Sequence, residues 1–169
     1  MTDAAQVSNA GRAKRQHRRE SVILFSIANS LFAIAADAVH EIRSADSLAG
    51  SAVELGTSPV QKVTHTAERA QRVYYVVSGC AHFGLPRTRP VMVLMLRDIP
   101  AAVLVDAIEN MSEVPAVHPL PRAYTGDERN WYRGLAYVRE CVVPVVNPHG
   151  FLTVEELGKL DAAARTVAT

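Results

Sequence analysis

The chain has 169 residues, 49% of them apolar, and a formal net charge of +1. A chain of this length buries roughly 70% of its unfolded surface, so one domain, or two small subdomains sharing a core, folds without disulfide or metal staples. The near-neutral balance argues against a nucleic-acid partner, no apolar run reaches the ~20 residues of a membrane span, and Cys80 and Cys141 are too few and too far apart for a disulfide framework.

Residues 1–20 are polar and read as a flexible basic tail, with Arg12, Lys14, Arg15, Arg18 and Arg19 close together. The uncharged run 22–36 follows. A basic run before an apolar one is also the outline of a secretory signal peptide. Here Ala28-Asn29-Ser30 interrupts the apolar residues with turn chemistry, which predicts a hairpin of strands 22–27 and 31–35. In the extended segment that follows, period-two alternation puts Val39 and Glu41 on one face, His40 and Ile42 on the other.

Residues 43–72 are rich in Ser, Ala, Gly and Thr and read as loop with one or two weak strands. Continuous apolar runs then predict strands at 73–79, 91–97 and 101–109. The last two make the clearest hairpin, turned at 98–100. Between the first two, CAHFGLPRTRP reads as a loop or helical turn stopped by Gly84 and Pro86. MSEVPAVHPLP is a Pro-rich crossing and RAYTGDERN a polar loop. WYRGLAYVR and CVVPVVN form a final hairpin over Arg139-Glu140. Trp131 and Tyr132 open that hairpin as anchors of either a core or an interface.

The chain ends in a helix at about 153–167. Thr153 and Glu156 have the spacing of a capping box, and Leu157, Leu160, Ala164 and Val167 recur at helical steps. Short strands at close intervals with one terminal helix predict an all-β fold of small barrels.

Little here points to catalysis. Cys80 and His82 could be half a metal site, but zinc needs three or four ligands, and nothing in the pattern brings His65 and His118 together. Asp98, Asp106 and Glu109 read as turn or structural carboxylates rather than an acid–base pair. No serine sits in a G-x-S-x-G context, and the nine glycines are dispersed. No enzyme activity, cofactor or metal is expected.

Five segments in order resemble the CheW-like family of bacterial chemotaxis adaptors. SVILFSIANSLFAIAADAVHEI is similar to that family's first hairpin and V-x-E-I element, with Val39, Glu41 and Ile42 in the element. RVYYVVSGCAHFGLP resembles its V-x-P-V-V-D-L strand and turn. RPVMVLMLRDIPAAVLVDAIENMSEVPAVHPLP resembles its central hairpin, with the V-D-x-I step at Val105, Asp106 and Ile108. WYRGLAYVRECVVPVVNPHGFLT resembles its last hairpin, Gly134 matching a recurrent glycine, and EELGKLDAAA its helix.

The resemblance implies two intertwined five-stranded SH3-like β-barrels with a C-terminal helix, over residues 21–169. It also implies a cytoplasmic, non-catalytic adaptor that joins the cytoplasmic tip of chemoreceptors to the regulatory domain of the histidine kinase CheA, without nucleic acid or direct membrane insertion. Receptor contact would involve Val39, Glu41, Ile42 and the family's Arg-Gly step. This chain has TAERAQR there. Ungapped from Val73, the step falls on Ala70 and Gln71; a one-residue slip brings Arg69 to the arginine's place. The altered segment gives one alternative, a divergent scaffold that binds the kinase but not receptors, and the signal-peptide outline gives another, a secreted small-ligand-binding β-barrel.

Overall fold

The computed structural model describes residues 19–50 and 52–167. The predicted basic tail therefore lies, apart from Arg19 and Glu20, outside the described residues. In chain order the elements are β1 (Glu20–Ile27), β2 (Ser30–Ala35), β3 (Val39–Ser44), β4 (Ala52–Glu54), β5 (Val63–Arg69), β6 (Arg72–Ser78) and α1 (Gly79–His82). They continue with β7 (Met92–Leu96), β8 (Ala101–Val105), β9 (Ala107–Val114), α2 (Glu128–Trp131), β10 (Tyr132–Val138), β11 (Cys141–Val146) and α3 (Val154–Val167).

The strands make two sheets. One has five strands in the order β10-β11-β2-β1-β9; the other has six, in the order β3-β7-β8-β6-β5-β4, the sixth being the three-residue β4. The first sheet is built from the two ends of the described chain and the second from its middle, so the two are intertwined as expected.

Three apolar clusters explain the continuous apolar runs. Val22 and Leu24 of β1 face a cluster within the first sheet, with Ala33, Val114, Ala136, Val138, Val143 and Val145. Tyr74 and Val76 of β6, Val93 and Met95 of β7 and Ala102 of β8 face one within the second, with Leu48 and Ala67. The alternate residues of the same strands, among them Ile23, Phe25, Tyr75, Val77, Leu94, Leu96 and Val103, meet in a shared layer between the sheets. A strand with both faces buried needs an apolar side chain at every position. Each fully buried Val, Leu, Ile or Phe contributes roughly 1.5–3 kcal/mol relative to exposure.

Trp131 ends α2, Tyr132 begins β10, and both pack against the shared layer, which resolves them as core anchors. Helix α3 plugs the layer with Leu160, flanked by Leu157 and Ala164, whereas Val167 is exposed. Its capping box forms as predicted: Glu156 Oε2 accepts from Thr153 N–H at 2.8 Å and Thr153 Oγ1 from Glu156 N–H at 3.1 Å.

The predicted strand 101–109 is two strands. The β7–β8 hairpin pairs as expected, Leu94 opposite Val103. At Asp106 the chain leaves the second sheet, and β9 then pairs with β1 in the first, taking in the first four residues, 111–114, of the expected Pro-rich crossing. Asp106 holds this crossing. Its N–H donates to the Ser26 carbonyl at 2.9 Å. Its carboxylate accepts from Ala28 N–H at 2.7 Å and from the Thr88 hydroxyl at 2.6 Å. In a two-residue hairpin turn the first turn N–H has no ladder partner, and Asp106 supplies one. The segment 43–72 is also more ordered than its composition suggested. β5 runs for seven residues with only Val63 and Ala67 buried, because its ladder to β6 needs backbone groups rather than apolar side chains.

Three hairpins turn on two residues of positive φ: Ala28-Asn29, Ala70-Gln71 and Arg139-Glu140. These are primed turns, whose twist suits antiparallel strands but strains side chains other than Gly, Asn or Asp. Gly134 has a different origin, since a Cβ there would collide with the His118 carbonyl where that residue bridges to Leu135.

Two outcomes are expected. Asp106→Ala leaves the Ala28 and Thr88 donors without their charged acceptor and lowers stability by about 2–4 kcal/mol in urea titration. Gln71→Gly, at φ 62°, relieves roughly 1–2 kcal/mol of left-handed strain. Against that stands roughly 0.4–1 kcal/mol of extra unfolded-state entropy, so this variant raises the melting temperature slightly.

Candidate interaction site

The residues singled out from sequence lie at one end of the second sheet. Strand β3 is its edge, and two β-bulges set what its side chains face. Val39 pairs with Leu96, but Glu41 pairs with Met95, so one extra residue, His40, is inserted between them. Paired residues share a face, and Leu96 and Met95 point to opposite faces. Val39 and Glu41 are therefore on opposite faces, correcting the simple alternation expected. Val39 is buried in the layer between the sheets. Ile42 pairs with Leu94 on that same side, at the sheet's rim, and is 36% exposed.

β5 is bulged in the same way at Thr64, between the Val63–Val77 and His65–Val76 pairs. That puts Ala67 into the second sheet's own cluster and Arg69 beyond it on the same face. The sheet curls until β3 and β5 approach from opposite ends of the strand order. Arg69 Nη2 and Nε then reach Glu41 Oε1 and Oε2 at 3.3 and 3.4 Å. Arg43, two residues beyond Glu41, donates from Nη1 to Oε1 at 3.1 Å, and its Nε donates to Ser47 Oγ at 3.0 Å. Sequence reasoning assigned Glu41 to receptor contact and missed Arg43. The E-x-R spacing on a strand, which puts both side chains on one face, was the available signal.

The hydrogen bond from Arg69 holds the Glu41 carboxyl below its usual value of 4.5, against opposing desolvation, and the charges of Arg69 and Arg43 add to the effect. With Arg69 half exposed, the pairs are partly screened by solvent and contribute little to folding. Turn residues Ala70 and Gln71, the ungapped match to the Arg-Gly step, are both exposed.

The other sequence candidates are not convergent. His65 touches the Thr64 hydroxyl in the second sheet, and His118 bridges to β10 of the first. His82 is buried beneath Trp131 and Phe151. Burial, then the nearby Lys62 ammonium, pushes its pKa down to about 3. Lys62 Nζ lies 3.3 Å from His82 Nδ1 and 3.0 Å from Glu156 Oε1, so this cluster ties α1 and the start of α3 to the strand-free segment before β5. General acid–base work near neutrality needs a pKa near the operating pH, which His82 lacks. Among the described residues no group of three His, Cys, Asp or Glu could hold a metal ion, and no helix is long and apolar enough to cross a membrane.

Two sheets around a shared apolar layer define a β-rich protein of SH3-like fold. The model of the CheW-like domain matches residues 21–156, and the chain belongs to that family of chemotaxis scaffold proteins. The crystal structure of the scaffolding protein TtCheW from Thermoanaerobacter tengcongensis is similar in fold, with a TM-score of 0.69 at 16% identity, covering 82% of this chain and 95% of that one. No curated protein matches the chain.

Arg69→Ala is expected to return the Glu41 titration toward 4.5, measured from carboxyl chemical shifts. Because the folded value is depressed, the pair's small stabilisation is fully present above the unfolded value and is lost as pH falls through the folded one. The mutant lacks that component of acid sensitivity.

Proposed function

We propose that this protein couples chemoreceptors to the histidine kinase CheA, using the β3 edge and the Arg69 end of β5 for the receptor's cytoplasmic tip. One observation carries the reading. Glu41 of the V-x-E-I element and Arg69 beside the Arg-Gly position are 28 residues apart in sequence and in direct contact. Two separate segments tied by resemblance to receptor contact therefore make a single surface. Ile42, exposed on the opposite face of the same edge strand, is the apolar anchor, and the charged cluster is a polar contact that sets specificity more than affinity. Val39 supports the strand from the core and does not touch the partner.

The kinase's regulatory domain takes a different face of the same scaffold, and the mechanism is geometric: two partners held at a fixed relative position, with weak contacts multiplied in an array. A second reading keeps the kinase and drops the receptor. It is favoured by Ala70-Gln71 standing in the turn that the resemblance assigns to Arg-Gly. Proteins of this kind work in the cytoplasm, without cofactor or membrane insertion.

Capture of purified fragments separates the readings. The full chain is expected to bind both a receptor tip and a CheA regulatory domain. Ile42→Glu should weaken tip binding about tenfold, the loss of one apolar anchor, while kinase binding stays unchanged. Kinase binding alone supports the second reading, and binding to neither refutes both.

A further inference from the structure

We infer that the Glu41, Arg43 and Arg69 cluster recognises a carboxylate on its partner rather than a cation. This rests on the receptor-coupling reading above and gives the charge of the group that the surface selects.

The first argument is a count of hydrogen-bonding capacity. Glu41 Oε1 accepts from both Arg43 Nη1 and Arg69 Nη2, and Oε2 accepts from Arg69 Nε. An ionised carboxylate has about four lone-pair sites, so Glu41 is close to saturated. Each guanidinium carries about five N–H donors, and Glu41 and Ser47 take only a few of them. Among the described residues no other carboxylate lies within ion-pair distance of either arginine. The cluster thus has donors in excess and a net positive charge.

The second argument is the cost of each encounter. A partner's Lys or Arg would have to displace one arginine from Glu41 and then sit beside the other, a like-charge contact. A partner's carboxylate meets spare donors with nothing displaced. The Arg69 side chain is 49% exposed and accessible to it. Arg43 is held ready, because its Nε donates to Ser47 Oγ, and the Ser47 hydroxyl in turn donates to the Ser44 carbonyl at 2.6 Å. Glu41 between them keeps two like charges side by side, an arrangement suited to planar, bidentate recognition of an acid. The matching ligand is an acidic side chain on an exposed helical tip.

The sign of two substitutions tests this. Binding of a purified receptor-tip fragment is measured by calorimetry for the full chain and for Glu41→Gln, Arg69→Gln and Arg43→Gln, at low salt and at high salt. Removing the internal carboxylate should tighten binding, and removing either arginine should weaken it, each by roughly twofold to fivefold, as for exposed charge pairs. All three effects should shrink at high salt. The opposite signs, weaker for Glu41→Gln and tighter for Arg69→Gln, would mean that a partner's cation docks on Glu41 and would overturn the inference. No change in any variant that melts like the wild type also overturns it, since the cluster then lies outside the interface. If the wild type binds the kinase regulatory domain but no receptor tip, the receptor-coupling reading itself fails and this inference with it.

Discussion

Everything in this molecule depends on one shared apolar layer. The two sheets do not merely touch; each gives one full face of its central strands to the same interior. That constraint dictates unbroken apolar runs in β1, β6, β7 and β8, because the opposite faces of these strands are buried in a cluster of their own sheet. It also dictates where the chain changes sheets. At Asp106 a carboxylate satisfies an orphan turn N–H and a loop hydroxyl, so the crossing is held by hydrogen bonds where packing alone would let it slide. Helix α3 then closes the open end of the layer. Its start is fixed by Glu156, which caps the helix with one oxygen and pairs with Lys62 through the other.

The candidate site grows from departures from that regularity. A uniform period of two would put Glu41 on the same side as Val39, toward the buried layer, where a carboxylate would be costly. The bulge at His40 turns Glu41 to the other face, and the bulge at Thr64 does the same for Arg69. Two equivalent irregularities on two strands far apart in the sheet order therefore create one contact. Bulges concentrate at edges and near functional surfaces because they redirect a side chain without altering the strand that carries it.

Much of the fold was legible because burial on both faces writes itself into continuous apolar runs, and because turns and caps carry local chemistry. The hairpin at Asn29, the one over Arg139-Glu140 and the Thr153–Glu156 capping box needed only neighbouring residues. What was not legible depended on contacts distant in sequence. β5 is held by backbone pairing to β6, which its polar side chains do not advertise. β9 is recognisable as a strand only from its pairing with β1, and the split at Asp106 from the donors it meets. At the site, Glu41, Ile42 and Arg69 were found through resemblance. Arg43 and the change of face at His40 were not, since a bulge inserts one residue without any residue type that demands it.

The topology has a consequence for synthesis. β1 and β2 are made before the other strands of this domain, yet three of the five strands in their sheet, β9, β10 and β11, are made last among its strands. The second sheet lies wholly within the intervening stretch and can pair as it appears. Until β9 arrives, the first hairpin has apolar residues on both faces and an unpaired edge, the combination that favours aggregation in a nascent chain. The polar residues Ser21 and Ser30 interrupt the apolar surface of that hairpin during the interval before its partners exist.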